Sequence, residues 1–152
     1  YIYTNRDRYY YHAGLTISAP PLSAGFIFVN TTKGISKPTD LNGKRIGLKT
    51  YQATAILYLR GVLADEYGVD LTSIDWVTER EEEVRVDTTP GIRLTQAAAG
   101  SDSSEMLAEG EVDAVIHPDI IAPSLRGDDR VGRLFSDYRS EEEAYYKRTG
   151  IF

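Results

Sequence analysis

The sequence predicts an α/β fold: an open, mainly parallel sheet with helices on both faces. Three observations carry this reading. Short runs of strand length at 26–29, 45–48, 74–77 and 112–116 alternate with helical patterns. One strand–helix–strand unit is complete between residues 45 and 77, which implies parallel pairing through a right-handed crossover. The 152 residues, 41% hydrophobic and 26% charged, suit one domain with its own core rather than two.

Taken in order, residues 1–25 have no clean period. Tyr9-Tyr10-Tyr11 is aromatic and Ser18-Ala19-Pro20-Pro21 is an extended breaker, so this stretch reads as a lead-in segment. Phe26-Ile27-Phe28-Val29 is a continuous apolar run of buried-strand type. A turn-rich connection with Gly34 and Pro38 follows, then a strand at 45–48. The spacing of Ala55, Ile56, Leu59, Val62, Leu63 and Tyr67 predicts a helix from about Tyr51 to Tyr67, with Thr50 as N-cap and Gly68 as its left-handed stop. Gly61 within it suggests close packing at that point. The next strand is Ile74-Asp75-Trp76-Val77.

The acidic run 79–83 and Thr88-Thr89-Pro90-Gly91 read as surface loop, and Ile92-Arg93-Leu94-Thr95 alternates like a strand. Asp102 and Glu105 have capping-box spacing before a short helix that Gly110 ends. A strand at 112–116 halts at His117-Pro118. A helical turn is expected within 119–125 and a short strand within 131–135. Ser140 and Glu143 form a second capping box, opening a helix to about Arg148 with Gly150 past its end. Tyr145 and Tyr146 on that helix read as core and interface.

Composition excludes several functions. With 17 basic and 23 acidic residues the net charge is −6, and no Lys/Arg cluster forms the basic face of a nucleic-acid binder. The absence of cysteine removes disulfides, thiolate metal sites and a Cys nucleophile. His12 and His117 are the only histidines, so this chain cannot supply a three-His zinc site. No apolar run approaches the roughly 18 residues of a membrane span, so no membrane insertion is expected. The chain opens on Tyr1 without Met and stops at Phe152, which reads as two cut ends.

In open α/β sheets, ligands bind beyond the carboxyl ends of the strands. Two such places are legible. The first is the loop Thr50, Tyr51, Gln52, Ala53, where strand 45–48 meets the following helix. Unpaired amides and the positive end of the helix dipole there favour a carboxylate or phosphate. Thr50 adds a hydroxyl, Gln52 an amide and Tyr51 an aromatic face. The competing reading makes Thr50 a plain cap and Tyr51 a packing residue. No P-loop pattern is present. The second place is His117 after strand 112–116, open to hydrogen bonding, acid–base work or a structural role. No GxSxG stands near it, so Ser-His-Asp hydrolysis has no support. Asp128-Asp129 and Glu81-Glu82-Glu83 lack EF-hand spacing and read as solvated loop charge, so no metal ligands are assigned and no cofactor is specified. Arg6 and Arg8 beside the tyrosines offer guanidinium and stacking groups, against the alternative of a structural tyrosine cluster.

Three stretches together resemble the 4,5-dihydroxyphthalate decarboxylase family, which shares the type 2 periplasmic-binding-protein-like fold. They are Tyr51-Gln52-Ala53-Thr54-Ala55 running on to Tyr67-Gly68-Val69; Ser104-Glu105-Met106-Leu107-Ala108 through Asp113-Ala114; and Arg133-Leu134-Phe135-Ser136-Asp137-Tyr138-Arg139 continued to Phe152. Order and spacing match from about Phe26 onward. The resemblance implies two lobes joined by crossing strands with ligand clamped between them. Residues 26–152 would form one lobe ending at a chain crossing, and residues 1–25 would lead in from the other. It implies that the 50–53 loop and the loop after residue 116 face the cleft. The family's Arg-rich stretch before the first strand is replaced here by Tyr11-His12-Ala13 and a Pro-containing run, so no role transfers to Arg8 or His12.

These readings converge on a lobe that binds a small aromatic carboxylate, partnered by the other lobe of the same protein. His117 is the candidate proton donor if the protein is a decarboxylase, in which case it would be cytoplasmic. The rival is a solute-binding component of an ABC-type importer, periplasmic or extracellular, in which hinge closure is the function and no catalysis occurs.

Overall fold

In the computed structural model the described residues are 24–82, 90–117 and 119–150. Of the expected lead-in segment only Ala24 and Gly25 are described, in a one-turn 3₁₀ helix with Phe26. The tyrosine run, Arg6, Arg8 and His12 lie outside the described residues.

Six strands form one sheet: β1 (Ile27–Asn30), β2 (Arg45–Leu48), β3 (Asp75–Thr78), β4 (Arg93–Gln96), β5 (Ala114–Ile116) and β6 (Val131–Arg133), in the order β4-β3-β2-β5-β1-β6. Strands β2 to β5 run parallel, and β1 lies antiparallel between β5 and β6. Five strands therefore point one way and β1 the other, so the sheet is mixed but mainly parallel as expected. The helices are α1 (Thr54–Tyr67), α2 (Ser103–Glu109), the single turn α3 (Ala122–Leu125) and α4 (Tyr138–Thr149).

The period-2 alternation of the strands sends side chains to two cores. Ile27, Val29, Ile46, Leu48, Trp76 and Ile116 meet Ile56, Leu59 and Leu63 of α1 on one face. Phe28, Val77 and Val115 meet Leu107 and Ala108 of α2 on the other. Helices thus cover both faces. The apolar stripe of α1 is the i, i+3, i+7 set Ile56, Leu59 and Leu63, and Arg60 is buried on that same face.

Several local expectations need correction. Helix α1 begins at Thr54, not Tyr51, and Thr50 is not its cap: Ala53 holds the N-cap position and makes no side-chain capping bond. The amides of Tyr51 and Gln52 are held outside the helix by Glu82, so the chain enters α1 three residues later. Helix α4 is capped by Asp137, which accepts from the Ser140 amide, rather than by Ser140. No residue of α4 is buried, so Tyr146 is not core. This helix docks on α1 through polar groups: the Tyr67 hydroxyl donates to Glu141 (3.1 Å), and Arg148 pairs with Glu66. A Cβ at Gly61 would meet open space, so that glycine marks no close approach. A close approach occurs instead at Gly47, where a Cβ would lie 2.9 Å from Ser103 Cβ and 3.1 Å from Val115 Cγ2. Strand β2 and the start of α2 touch through this glycine.

The stop signals at Gly68, Gly110 and Gly150 hold, each in the left-handed conformation that glycine adopts without steric penalty. Of the capping box expected at α2 the Asp102 half holds, accepting from the Ser104 and Glu105 amides, while the Glu105 carboxylate pairs with Arg126 instead. Hydrogen bonding from the Ser104 hydroxyl, more than burial opposes, keeps the Asp102 carboxyl below its ordinary pKa. Its folded value lies below its unfolded one, so its stabilisation is present above the unfolded pKa and is lost as pH falls through the folded one. Asp102→Ala is expected to lower stability by about 1 kcal/mol at neutral pH. The deficit relative to wild type should shrink on the acid side, as read by urea unfolding at several pH values.

Candidate functional site

The carboxyl ends of β2, β3, β4 and β5 lie at one end of the sheet. In the β2–β5 register Leu48 is opposite Ile116, so the loop that begins at Lys49 and the one that begins at His117 start side by side. The two sequence-predicted places are therefore neighbours at adjacent strand ends.

The 49–53 loop is fixed from both sides. The Glu79 amide donates to the Leu48 carbonyl (2.9 Å) and the Arg80 amide to that of Lys49 (3.2 Å), extending the pairing of β2 with β3 past their ends. This brings Glu82 over the loop. One carboxylate oxygen accepts from the Tyr51 amide (2.5 Å) and the other from the Gln52 amide (3.1 Å). Two successive amides just before the N-terminus of α1 thus hold both oxygens of one carboxylate, the arrangement that an anion-binding helix entry favours.

The Tyr51 side chain is buried rather than offered to solvent. Its ring packs edge-on to Trp76, with centroids 5.5 Å apart and an interplanar angle of 68°. Arg60 covers it, with Cζ 3.4 Å from the ring centroid. Tyr51 therefore serves the loop through its backbone amide, while its ring ties the loop to the core. Thr50 and Ala53 are half-buried and Gln52 is exposed.

Arg60 is 7% exposed, and its Nε has no hydrogen-bond acceptor among the described residues. Burial pushes its pKa below the usual guanidinium range; Tyr51 and the Glu82 charge oppose that shift. A buried guanidinium is costly to leave without compensation, and here the face of the Tyr51 ring and the nearby Glu82 charge supply part of it.

A second carboxylate works alongside. Glu79 accepts from both the amide (2.8 Å) and the hydroxyl (2.6 Å) of Ser103, the first residue of α2. The acidic run is thus not simple solvated loop charge. Glu79 anchors the start of α2, and Glu82 holds the loop before α1.

The backbone of His117 donates to the Phe26 carbonyl (3.1 Å), continuing the β1–β5 ladder. Its Nδ1 lies 3.1 Å from both the amide nitrogen and the carbonyl oxygen of Asp119. A neutral ring can accept from that amide and a protonated ring can donate to that carbonyl, so the imidazole is positioned in either state. Among the described residues no three His, Asp or Glu side chains are grouped to hold a metal ion, and no helix is long and apolar enough to cross a membrane.

No protein-family profile matches the chain. Known proteins do. It is 38% identical over 134 residues to a 4,5-dihydroxyphthalate decarboxylase of Comamonas testosteroni, covering 83% of this chain and 40% of that protein. It is 31% identical over 127 residues to a 4,5-dihydroxyphthalate decarboxylase of Pseudomonas putida, covering 80% of this chain and 49% of the relative. The chain is a relative of the 4,5-dihydroxyphthalate decarboxylases. It spans less than half the length of the two decarboxylases it matches. Among solved structures, the periplasmic aliphatic sulphonate binding protein of Escherichia coli is similar with a TM-score of 0.49 and 18% identity, over 85% of this chain and 43% of that one. The second substrate-binding domain of a putative amino acid ABC transporter from Streptococcus pneumoniae is similar with a TM-score of 0.40 and 17% identity, over 82% of this chain and 55% of that one.

Sequence reasoning missed three residues of this decarboxylase relative's candidate site. Arg60 had a legible signal: it lies four residues after Ile56 and three before Leu63, on the apolar stripe. Glu79 and Glu82 had none, since their partners are 24 and about 30 residues away in sequence.

Proposed function

We propose that this chain supplies one lobe of a two-lobed, 4,5-dihydroxyphthalate decarboxylase-like protein, and that its 50–53 loop anchors the carboxylate of a small aromatic ligand in the cleft between lobes. One observation carries the reading: the Tyr51 and Gln52 amides hold both oxygens of a carboxylate, that of Glu82, in a loop whose Tyr51 ring carries the buried Arg60 guanidinium. The geometry suits a carboxylate, and the relatives are named for an aromatic dicarboxylate.

In a decarboxylation at this site the ligand's retained carboxylate would sit on the loop. The bond between the ring and the departing carboxylate would break, leaving its electron pair on the ring carbon as CO2 departs. A proton delivered to that carbon completes the step. His117 is the proposed donor: its loop starts beside the anchor loop, and the Asp119 backbone suits both its protonation states. Excluding water would keep the charge on the anchor strong and the carbanion out of reach of bulk protons.

The test uses the two-lobed parent protein supplied with 4,5-dihydroxyphthalate, with and without divalent metal ions. CO2 release is expected. Binding without release under every metal condition would leave a solute-binding role in place of the enzymatic one. In the same protein, Thr50→Ala combined with Gln52→Ala removes a hydroxyl and an amide from the loop. Affinity measured by calorimetry should fall about five- to tenfold, the size of one or two lost neutral hydrogen bonds. The anchor itself is read at the backbone: Tyr51 and Gln52 amide resonances that do not move at saturating ligand would refute it.

A further inference from the structure

The anchor loop is already occupied. Glu82 takes the Tyr51 and Gln52 amides with its two oxygens, so neither amide is left for an incoming carboxylate. A ligand carboxylate cannot simply join it, because two carboxylates within about 4 Å of each other strongly disfavour double ionisation. Nor can the place stand empty at no cost. Arg60 is 7% exposed, stacks on the Tyr51 ring at 3.4 Å, and carries an Nε without an acceptor among the described residues. A buried cation left without an anion is strongly unfavourable. The two amides take one carboxylate at a time, so binding at this loop is an exchange.

We propose that Glu82 is a built-in stand-in for the ligand's carboxylate, holding the Tyr51 and Gln52 amides beside Arg60 until an aromatic carboxylate displaces it. This rests on the anchor reading above and adds its regulation. The site is competent only in the fraction of molecules in which Glu82 has left, and apparent affinity is reduced by that fraction. The exchange also keeps the loop ordered without ligand, because its amides are never unpaired. It favours ligands that bring further contacts, since a lone carboxylate only replaces what Glu82 already supplies.

The probe is phthalate, titrated into the full two-lobed protein. Glu82→Gln keeps the side chain's shape and removes its charge, and phthalate should bind about tenfold tighter as the competing occupant weakens. Glu82→Asp, whose shorter reach cannot serve both amides, should also bind more tightly. In the wild-type protein, carbon-13 NMR of the Glu82 side-chain carboxyl should move to a solvent-exposed position at saturating phthalate, a readout that needs no variant to fold. Weaker or unchanged binding in Glu82→Gln, or a Glu82 resonance that stays put at saturation, overturns the exchange. If the Tyr51 and Gln52 amide resonances still move on phthalate binding in that event, the anchor stands and only the exchange fails. If those amide resonances also stay put, the anchor reading falls and takes the exchange with it.

Discussion

Replacing Trp76 with alanine is expected to lower stability by about 3–5 kcal/mol, as for other large-to-small changes in a fully packed core. Trp76 is completely buried in β3, with its indole N–H donating to the Leu71 carbonyl (3.1 Å). It lies in the core that joins β1, β2, β3 and β5 to α1. The substitution opens a cavity there and removes the edge-on partner of Tyr51. The second consequence reaches the site, because the Tyr51 ring fixes the loop whose amide is the proposed anchor. Phthalate affinity should therefore fall along with stability, although Trp76 touches no proposed ligand. Trp76 is the only tryptophan, so unfolding is best followed by far-ultraviolet circular dichroism rather than fluorescence. Trp76→Phe refills part of the volume and should cost less. A loss under about 1 kcal/mol in Trp76→Ala would mean that the core does not depend on this side chain as its burial requires.

The second large effect is expected at Gly47. A valine there places Cβ within 2.9 Å of Ser103 Cβ and 3.1 Å of Val115 Cγ2, inside β2, a central strand of the sheet. Overpacking of this kind costs about 1–3 kcal/mol. The strain has a clear outlet: α2 must lift at its first residue, which Glu79 holds by the Ser103 amide and hydroxyl. Gly47→Ala should show the same effect at smaller size. Adding Ser103→Gly to Gly47→Ala removes the facing Cβ and should recover part of the loss, a coupling that a double-mutant cycle by urea unfolding measures directly. Strict additivity would show that the helix start and the strand are not in the contact described.

Much of the fold was legible because it rests on local pattern. The strands at 45–48 and, starting two residues later than expected, 114–116, the stripe Ile56, Leu59 and Leu63, and the stops at Gly68, Gly110 and Gly150 all follow from spacing or from a glycine where left-handed backbone is required. The direction of β1 was not legible. An apolar run of four residues reads the same in either direction, and its antiparallel place between β5 and β6 is set by the chain's path. The same limit explains the glycines: Gly61 drew attention by standing inside a helix, while Gly47, which is in close contact, looked like an ordinary strand residue.

The candidate site was legible as a place but not as a mechanism of occupancy. The strand-end rule located the 50–53 loop and His117, and the β2–β5 register puts the two loops side by side. The rule said nothing of what holds the amides. An acidic run with no periodicity gives no hint that Glu79 will reach α2 and Glu82 the loop before α1, because both partners are brought in by sheet pairing. The consequence also changed the boundary of α1. Thr50 was a reasonable cap by residue type, but the amides a cap would have served are bonded to Glu82, and the helix starts beyond them.

The most direct test of the proposed carboxylate anchor is a crystal structure of the proposed two-lobed protein with phthalate bound. A phthalate carboxylate is expected on the Tyr51 and Gln52 amides, with the Glu82 side chain turned away from them. Phthalate bound elsewhere, with Glu82 still on both amides, would contradict it.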